Sequence, residues 1–331
     1  MLVLSLLVLT AGLALAYEEY DVDQAEVLFE QFIQEYNRVY KDDEEKQMRF
    51  NIFKSHLHVI NKHNKVHGYN VLGINQFADI SKEEFANTHF GYRPNEVGDG
   101  SPCTSSKLRI TAKDVPESFD WRDKGVVTDV KNQDGCGACW AFSTIGNVES
   151  QYAKVHGAEN LISLSEQQLV DCDTTDHNCG GGAMENALLY FVNSGGGVMS
   201  EQDYPYLGKF GQCTFDQNKA RVNVTGCVDF TNTPEEDIKE ILVNNGPLAV
   251  ALGVDINFKF YRGGILRTCD PNIKYNHALL IVGYGSENGV PYWIIKNSWG
   301  DEYGEKGYIR LIRSNPDCRV GKCQLVSAQV A

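Results

Sequence analysis

Hydrophobic residues recur with helical spacing in two parts of this chain, one near the N-terminus and one near the middle. Near the N-terminus, apolar positions three or four apart predict an amphipathic helix, with one face formed by Leu28, Phe29, Phe32, Ile33 and Tyr36. In the middle, the same spacing predicts a second buried helical face, formed by Ala141, Ile145, Val148, Tyr152 and Val155. Ser165 and Gln168 have the spacing of a capping box, which predicts a short helix toward Cys172.

The last third of the chain has the pattern of β-strands. Four apolar or alternating runs are bounded by Gly, Pro, Asn or Ser, and they cover residues 247–252, 278–282, 292–295 and 308–313. The helical periods of the second half lie before about residue 225. The sequence therefore predicts an α+β fold in which a helical lobe packs against a sheet-rich lobe, with a cleft between them.

Residues 1–16 form an apolar stretch that ends in Ala14-Leu15-Ala16, a pattern typical of a secretory signal peptide cleaved after Ala16. No Lys or Arg precedes the apolar run, which departs from the usual signal. The alternative is an uncleaved membrane anchor, although the run is shorter than the ~18 apolar residues expected of a span. The secretory interpretation predicts a lysosomal or extracellular protein.

Composition narrows the class of protein. The 331 residues, of which 42% are hydrophobic, are enough for about two domains with filled cores. A formal net charge of -14 argues against a nucleic-acid partner. From about residue 91 to 113, Pro, Gly, Ser and Asn without periodicity predict an exposed linker, and we expect proteolytic maturation between about residues 108 and 115.

Cys139 has the sequence context of an activated nucleophile. It follows the loop that begins at Gln133 and would lie in the first turn of the central helix. Unpaired backbone N–H groups and the positive end of the helix dipole favour the thiolate there. A thiolate that attacks an amide needs a base partner, and His277 is the candidate because it precedes an apolar strand. His156 and His177 lie in polar surroundings typical of surface residues.

Cys136 and Cys139 also form a C-x-x-C pair, the pattern of a thioredoxin-like redox site or of half a zinc site. A redox pair should follow a strand in a βαβ unit, and a zinc site needs a second pair of ligands. Neither context is evident in the sequence. Ten cysteines in a secreted chain indicate disulfides, and eight remain for four bridges if Cys139 is free and Cys103 belongs to a separate, discarded segment.

The segment from Gln133 to Ser143 resembles the active-site signature of papain-family cysteine proteases. Upstream, six residues keep the spacing of a prosegment pattern of cathepsin-L-like relatives, with His56 in place of its first Asn: Glu45, Arg49, Ile52, Phe53, Ile60 and Asn64. A second prosegment motif is matched by Gly73, Asn75, Phe77 and Asp79. The resemblance implies a papain-like fold with a helical lobe and an antiparallel β-barrel-like lobe. It also implies a signal peptide at 1–16, an inhibitory helical prosegment at 17–114 and a peptidase domain at 115–331.

The resemblance also assigns roles in the site. Cys139 is the nucleophile, His277 the base, Asn297 the group that orients the imidazole, and Gln133 a donor to the oxyanion, with Trp299 shielding the His277–Asn297 contact. The resemblance implies that Gly181 and Gly182 offer backbone hydrogen bonds to an extended peptide. It implies that the pocket for the P2 side chain is lined by Ala183, Met184, Ala251, Asn276, Ala278 and Ala328. This small apolar lining predicts a hydrophobic P2 residue such as Leu, Val or Phe, and no metal or organic cofactor is required.

Further expectations concern covalent features and pH. The resemblance implies the disulfides Cys136–Cys179, Cys172–Cys213 and Cys269–Cys323, and arithmetic leaves Cys227–Cys318. Asn223 begins an Asn-Val-Thr glycosylation sequon. Acidification would charge five prosegment histidines and could loosen the prosegment, unless they are ordinary surface residues: His56, His58, His63, His67 and His89.

The sequence thus predicts a cysteine endopeptidase made as a secreted zymogen, which hydrolyses proteins and peptides through an acyl-enzyme. Its own prosegment and cystatin-like proteins are the expected inhibitors, and the chain is expected to be a monomer. Two alternatives remain open. A catalytically inactive binding or storage homologue would keep the fold but lose a reactive position, and a disulfide oxidoreductase would need a redox-active Cys136.

Overall fold

The computed structural model describes residues 19–94, 103–105 and 115–331. The predicted signal peptide and most of the predicted linker lie outside the described residues. The helices are α1 (Ala25–Glu35), α2 (Asp43–His67), α3 (Lys82–His89), α4 (Cys139–His156), α5 (Glu166–Cys172), α6 (Met184–Asn193), α7 (Glu235–Asn245) and α8 (Ile256–Lys259). The strands are β1 (Thr104–Ser105), β2 (Phe119–Asp120), β3 (Gly197–Met199), β4 (Ala220–Asp229), β5 (Leu248–Leu252), β6 (Ile265–Leu266), β7 (His277–Glu287), β8 (Val290–Lys296), β9 (Tyr308–Ile312) and β10 (Leu325–Val330).

Helices α1 to α3 form the N-terminal helical unit. The predicted apolar face of α1 is buried at Phe29 and Phe32, whose rings pack against Phe53 of α2. Asp42 caps α2 by accepting from the Glu45 backbone N–H, and Gly68 ends the helix in the left-handed conformation. The amphipathic helix predicted near the N-terminus is confirmed. None of the helices in the described ranges has both the length and the apolarity needed to cross a membrane.

Helix α4 begins at Cys139, as predicted, and carries the central apolar face. Ala141, Ile145 and Val148 are buried, but Val155 is 59% exposed. The prediction for the last turn is therefore wrong, because Ala153 takes the buried position there. Ser165 caps α5 by accepting from the Gln168 backbone N–H, as predicted, although the Gln168 side chain donates to a carbonyl of β3 instead of closing the box.

The strands form one mixed sheet whose main order is β1-β4-β10-β5-β7-β8-β9-β6, with β2 paired to β7 and β3 paired to β4. The four strands predicted from the sequence are β5, β7, β8 and β9, and they pair antiparallel in that order. Parallel pairing occurs between β1 and β4 and between β6 and β9. Helix α4 packs on β7 and β10. This α+β arrangement brings Cys139, at the start of α4, toward His277, at the start of β7.

Four disulfides are present among the described residues. Cys136–Cys179 and Cys172–Cys213 are bonded as predicted. The other two predictions are wrong, because Cys269 bonds to Cys318 and Cys227 bonds to Cys103. Cys103 reaches Cys227 because β1 lies beside β4 in the sheet.

Two cysteines, Cys139 and Cys323, remain free. Since Cys136 is bonded to Cys179, the C-x-x-C pair is not a disulfide in this structure. No cluster of three or more potential metal ligands occurs in the described part of the chain.

Candidate active site

His277 and Asn297 form a hydrogen-bonded pair at adjacent ends of β7 and β8. His277 Nε2 lies 2.8 Å from Asn297 Oδ1, and both side chains are buried. Trp299 covers the pair, since its ring stacks on the imidazole with 4.7 Å between ring centroids. The amide oxygen can only accept, so it selects the tautomer with the proton on Nε2. The other ring nitrogen, Nδ1, has no hydrogen-bond partner within the described ranges, and it is available to exchange a proton.

Gln133 is fully buried beside this pair. Its Oε1 accepts from Ser298 Oγ at 2.6 Å, and its Nε2 donates to the Cys136 carbonyl at 3.0 Å. Ser298 was not among the predicted site residues, and its anchoring role depends on a contact 165 positions away in the sequence. The same Nε2 donates to the backbone carbonyl of His89 at 3.2 Å. The amide expected to bind an oxyanion therefore points at a carbonyl of the prosegment.

The prosegment crosses the cleft in an extended conformation just after α3. The Gly91 and Tyr92 backbone N–H groups donate to the Asn276 carbonyl at 3.2 and 3.0 Å. Gly182 pairs with the same segment on the other side, donating to the Gly91 carbonyl at 2.8 Å and accepting from Arg93 at 2.9 Å. Gly182, which was predicted to bind a peptide backbone, and Asn276, which was predicted to line the P2 pocket, are thus both occupied by the chain itself.

Gly91 is the point of closest approach between the prosegment and the catalytic loop. A Cβ atom at this position would lie 1.8 Å from the Gly137 backbone oxygen. Because both groups belong to the backbone, neither could move aside without shifting the chain. Only glycine fits at position 91, where the prosegment lies against Gly137, two residues before Cys139 in the catalytic loop.

The residues predicted to line the P2 pocket are buried except Asn276, which is half-buried, and the apolar ones lie in one hydrophobic cluster. The cluster contains Ala183, Met184, Ala251, Ala278 and Ala328. Gly181 adopts the left-handed conformation at φ 113°, and its carbonyl accepts from the His177 backbone. Tyr92 of the prosegment belongs to the same cluster, with Cys323 packed against it. No sequence pattern placed Tyr92 or Cys323 at this pocket, since their proximity depends on long-range folding.

Burial under the prosegment changes the charge expected of the catalytic pair. It raises the pKa of the Cys139 thiol to about 12, although nearby backbone groups oppose the rise. It lowers the pKa of His277 to about 4, although the hydrogen bond that His277 Nε2 donates to Asn297 opposes the fall. Thiol and imidazole are therefore both neutral in the covered site. The thiolate predicted from the helix position is not favoured here, because desolvation outweighs the helix dipole.

The predicted glycosylation residue Asn223 is exposed on β4, and glycosylation stays a prediction. Among the five prosegment histidines, His56 and His89 are buried whereas His58 is exposed. His56 Nδ1 lies 2.8 Å from the Ala78 carbonyl, and its ring packs against Phe260 of the peptidase domain. The surface interpretation thus holds for His58 but not for His56 or His89.

Comparisons with known proteins agree with this architecture. Residues 115–329 match the papain family cysteine proteases, and residues 29–85 match the cathepsin propeptide inhibitor domain (I29). The chain is 41% identical over 312 residues to a viral cathepsin of Mamestra configurata nucleopolyhedrovirus, covering 94% of this chain and 91% of that protein.

Two solved precursor structures are also similar. The digestive procathepsin L2 proteinase from Tenebrio molitor larval midgut has a TM-score of 0.86 and 36% identity, with 92% of this chain and 99% of that chain covered. A recombinant stem bromelain precursor has a TM-score of 0.80 and 37% identity, with 93% and 99% covered. The family match, the prosegment match and the similar precursor structures all lead to the same conclusion. The chain belongs to the papain family of cysteine proteases as a cathepsin-L-like zymogen.

Proposed function

We propose that this zymogen yields an endopeptidase in which Cys139, His277 and Asn297 carry out peptide hydrolysis. The observation that supports it most is the pairing of His277 with Asn297 beneath Trp299, in a cleft whose other wall begins at Cys139. Asn297 fixes the ring orientation and leaves Nδ1 free to exchange a proton. A helix N-terminus and a positioned imidazole are the two features that stabilise a reactive thiolate.

Removal of the prosegment restores the charged form of the site. Water then reaches the cleft, and the desolvation that holds Cys139 and His277 neutral disappears. The proton of the thiol moves to His277 Nδ1, and the resulting thiolate is stabilised by the imidazolium and by the first turn of α4. The uncovered enzyme therefore carries an ion pair that the zymogen lacks.

Hydrolysis then follows two acyl-transfer steps. The Cys139 sulfur attacks the scissile carbonyl carbon, and the oxyanion accepts hydrogen bonds from Gln133 Nε2 and the Cys139 backbone N–H. His277 donates its proton to the leaving amine nitrogen, so that the peptide bond breaks and a thioester forms. Water attacks the thioester with His277 as the base, and the C–S bond breaks to regenerate the Cys139 thiolate and the imidazolium. The product leaves as a carboxylic acid, which loses its proton to solvent and becomes the carboxylate.

Specificity rests on the apolar cluster beside Gly182. The small alanine side chains and Met184 of this cluster are apolar, which supports a hydrophobic residue at P2 such as Leu, Val or Phe. Gly182 and Asn276 would pair with the substrate backbone once the prosegment leaves. Cleavage within polypeptides is the proposed mode of action.

The cellular setting is part of the same proposal. Four disulfides are typical of an oxidising compartment, which supports a secreted protein of the lysosome or the extracellular space. We propose a monomer that can be glycosylated at Asn223 and inhibited by cystatin-like proteins. The acidic net charge supports the absence of nucleic-acid partners.

Peptide hydrolysis tests this proposal directly. Protein processed in acid with a low-molecular-weight thiol present should cleave a Leu-Arg fluorogenic peptide, and an epoxide inhibitor of cysteine proteases should abolish the activity. Cys139→Ala and His277→Gln should each lower kcat by at least about 10³-fold. His156→Gln is the matched control, because His156 is exposed and has no part in the proposed mechanism. Processed wild-type protein without peptidase activity would instead favour the inactive binding homologue.

A further inference from the structure

Tyr92 of the prosegment fills the space expected to receive the P2 side chain. Only 6% of Tyr92 is exposed, and it lies in the same cluster as Ala183, Met184 and Ala328. Its backbone N–H donates to the Asn276 carbonyl at 3.0 Å. The prosegment therefore shows which side chain this pocket accommodates when a chain lies on the peptide-binding backbone groups.

Cys323 lies at the end of that pocket. The Tyr92 phenol oxygen is 3.2 Å from the Cys323 sulfur, which is not in a disulfide. Burial raises the pKa of the Cys323 thiol, and the Glu185 carboxylate acts in the same direction, whereas the Tyr92 hydrogen bond opposes them. In an acidic medium Cys323 is thus a neutral thiol that can donate or accept a hydrogen bond.

We propose that Cys323 is a specificity-determining residue of the P2 pocket, which selects tyrosine over phenylalanine and leucine. The inference rests on the proposed peptidase function and deepens its P2 preference. The alanines and Met184 accept the ring, and the thiol meets the hydroxyl at its tip. Phenylalanine leaves the thiol without this partner, and leucine is too short to reach it.

Matched peptides that differ only at P2 test this inference. For the processed wild-type enzyme, kcat/KM should be highest for Tyr, and the Tyr:Phe ratio should fall by about 2- to 10-fold in Cys323→Ala. Cys323→Ser keeps a hydroxyl at the same place and should retain most of the ratio. Equal ratios in the wild type and Cys323→Ala would overturn the role of Cys323, whereas failure to cleave any of the peptides would contradict the peptidase function itself.

A disulfide joins the residue just before β1 to the peptidase domain. Cys103 is bonded to Cys227, and both are almost completely buried. The next two residues, Thr104 and Ser105, pair in parallel with Val228 and Asp229 of β4. Cys103 lies between the two family matches, at 29–85 and 115–329, while Cys227 lies inside the second. The bond therefore fastens the linker to the peptidase.

We infer that Cys103–Cys227 is a tether that retains the prosegment after the linker is cut. The maturation window predicted from the sequence, about residues 108–115, lies on the carboxyl side of Cys103. A cut there leaves every residue up to the cut attached to Cys227. A tethered inhibitor rebinds at an effective concentration on the order of millimolar, so cleavage alone does not free the cleft.

Release then requires a low-molecular-weight thiol as reductant. One thiolate attacks the Cys103 sulfur, forms a mixed disulfide with it and expels the Cys227 thiolate, which takes up a proton. A second thiol attacks the mixed disulfide, leaving Cys103 as a thiol and the reductant as its own disulfide. Two electrons pass to the protein, and the prosegment is no longer covalently attached.

Limited trypsin digestion of the full chain without reductant tests the tether. Between Pro94 and Cys103 the sequence has no Lys or Arg, whereas Lys107, Arg109 and Lys113 follow Cys103. Trypsin can therefore cut this linker only on the carboxyl side of Cys103. The nicked protein should migrate as one species on a denaturing gel without reductant and as two with reductant.

A double variant, Cys103→Ser with Cys227→Ser, supplies the comparison. After the same cut it should give two species without reductant, and at pH 4 its prosegment should separate on gel filtration. The nicked wild type should release its prosegment at pH 4 only after reductant is added. Separation of the wild-type fragments without reductant on the denaturing gel would overturn the tether.

Discussion

The prosegment and the peptidase domain both bury aromatic side chains, but different interactions hold them in place. Three disulfides lie wholly within residues 115–331, and none joins two residues of 19–94. The prosegment instead buries titratable groups against the peptidase domain, among them His56 and His89. Burial lowers the pKa of these histidines to about 4 and about 3. We therefore expect acid to weaken the contact between the prosegment and the peptidase domain, while the disulfides keep the peptidase domain folded.

The largest effect on this comparison is expected from Gly91→Ala. The new Cβ would overlap the Gly137 carbonyl, so the prosegment could not lie across the cleft in its present path. We expect the prosegment to bind the cleft about 3 kcal/mol more weakly, which is roughly 100-fold. The rate at which an epoxide inhibitor labels Cys139 in the uncleaved chain at pH 7 measures this change.

Gly68→Ala is the matched control within the same prosegment. A Cβ at Gly68 meets no atom within 4 Å, although its left-handed backbone makes the end of α2 less stable. Labelling of Cys139 should stay slow in this variant. Equal labelling rates in the Gly91 and Gly68 variants would mean that loss of any prosegment glycine, and not the contact at Gly137, opens the cleft.

Removal of one internal disulfide should affect the peptidase domain alone. Cys269→Ser with Cys318→Ser opens a crosslink between residues 49 positions apart, which typically costs about 2–4 kcal/mol of unfolding free energy. Thermal unfolding of the processed domain should show a lower Tm. The pH at which the prosegment leaves should be unchanged, and a shift in that pH would contradict the division between the two regions.

His56→Asn should make prosegment binding less sensitive to acid. The pKa of His56 is about 4 when folded and about 6.5 when exposed, because burial and then the nearby Lys259 disfavour the charged ring. The stability that neutral, buried His56 contributes to the folded state is therefore present above pH 6.5. It is lost as the pH falls toward 4, by up to about 3 kcal/mol. The variant should lack this loss.

The pH dependence of thermal unfolding, measured in the uncleaved chain with Cys139→Ala to prevent processing, checks this. His58→Asn is the control, because His58 is on the same helix but exposed. If the His56 and His58 variants keep the same pH profile as the parent, the acid response lies in other groups.

Asn75→Ala should have the smallest effect of the four. The Asn75 side chain is buried at the interface, donates to the Lys259 carbonyl at 2.7 Å and accepts from the Phe77 backbone at 3.1 Å. Its loss leaves the Lys259 carbonyl without this partner and should weaken prosegment binding by about 1–2 kcal/mol. Cys139 labelling measures this as well, with the exposed Asn51→Ala as the control; equal rates in the two would contradict a role for the Asn75 contact.

The sequence by itself determined the features that depend on near neighbours. The start of α4 at Cys139, the cap at Ser165 and the apolar strands β5, β7 and β8 follow from spacing and composition over a few residues. Cys139 and His277 were indicated by their sequence context, whereas Gln133, Asn297 and the prosegment motifs were recognised by resemblance. The structure brings His277 and Asn297 into contact.

Tertiary structure alone decided the features that depend on distant pairing and on burial. Cys318 and Cys323 are five positions apart, and only the folded positions of the strands select which one meets Cys269. The bond from Cys103 to Cys227 and the place of Tyr92 beside Cys323 likewise depend on which segments become neighbours. The neutral state of Cys139 requires the covered cleft, because a charge is destabilised by the removal of water and no local pattern records that removal.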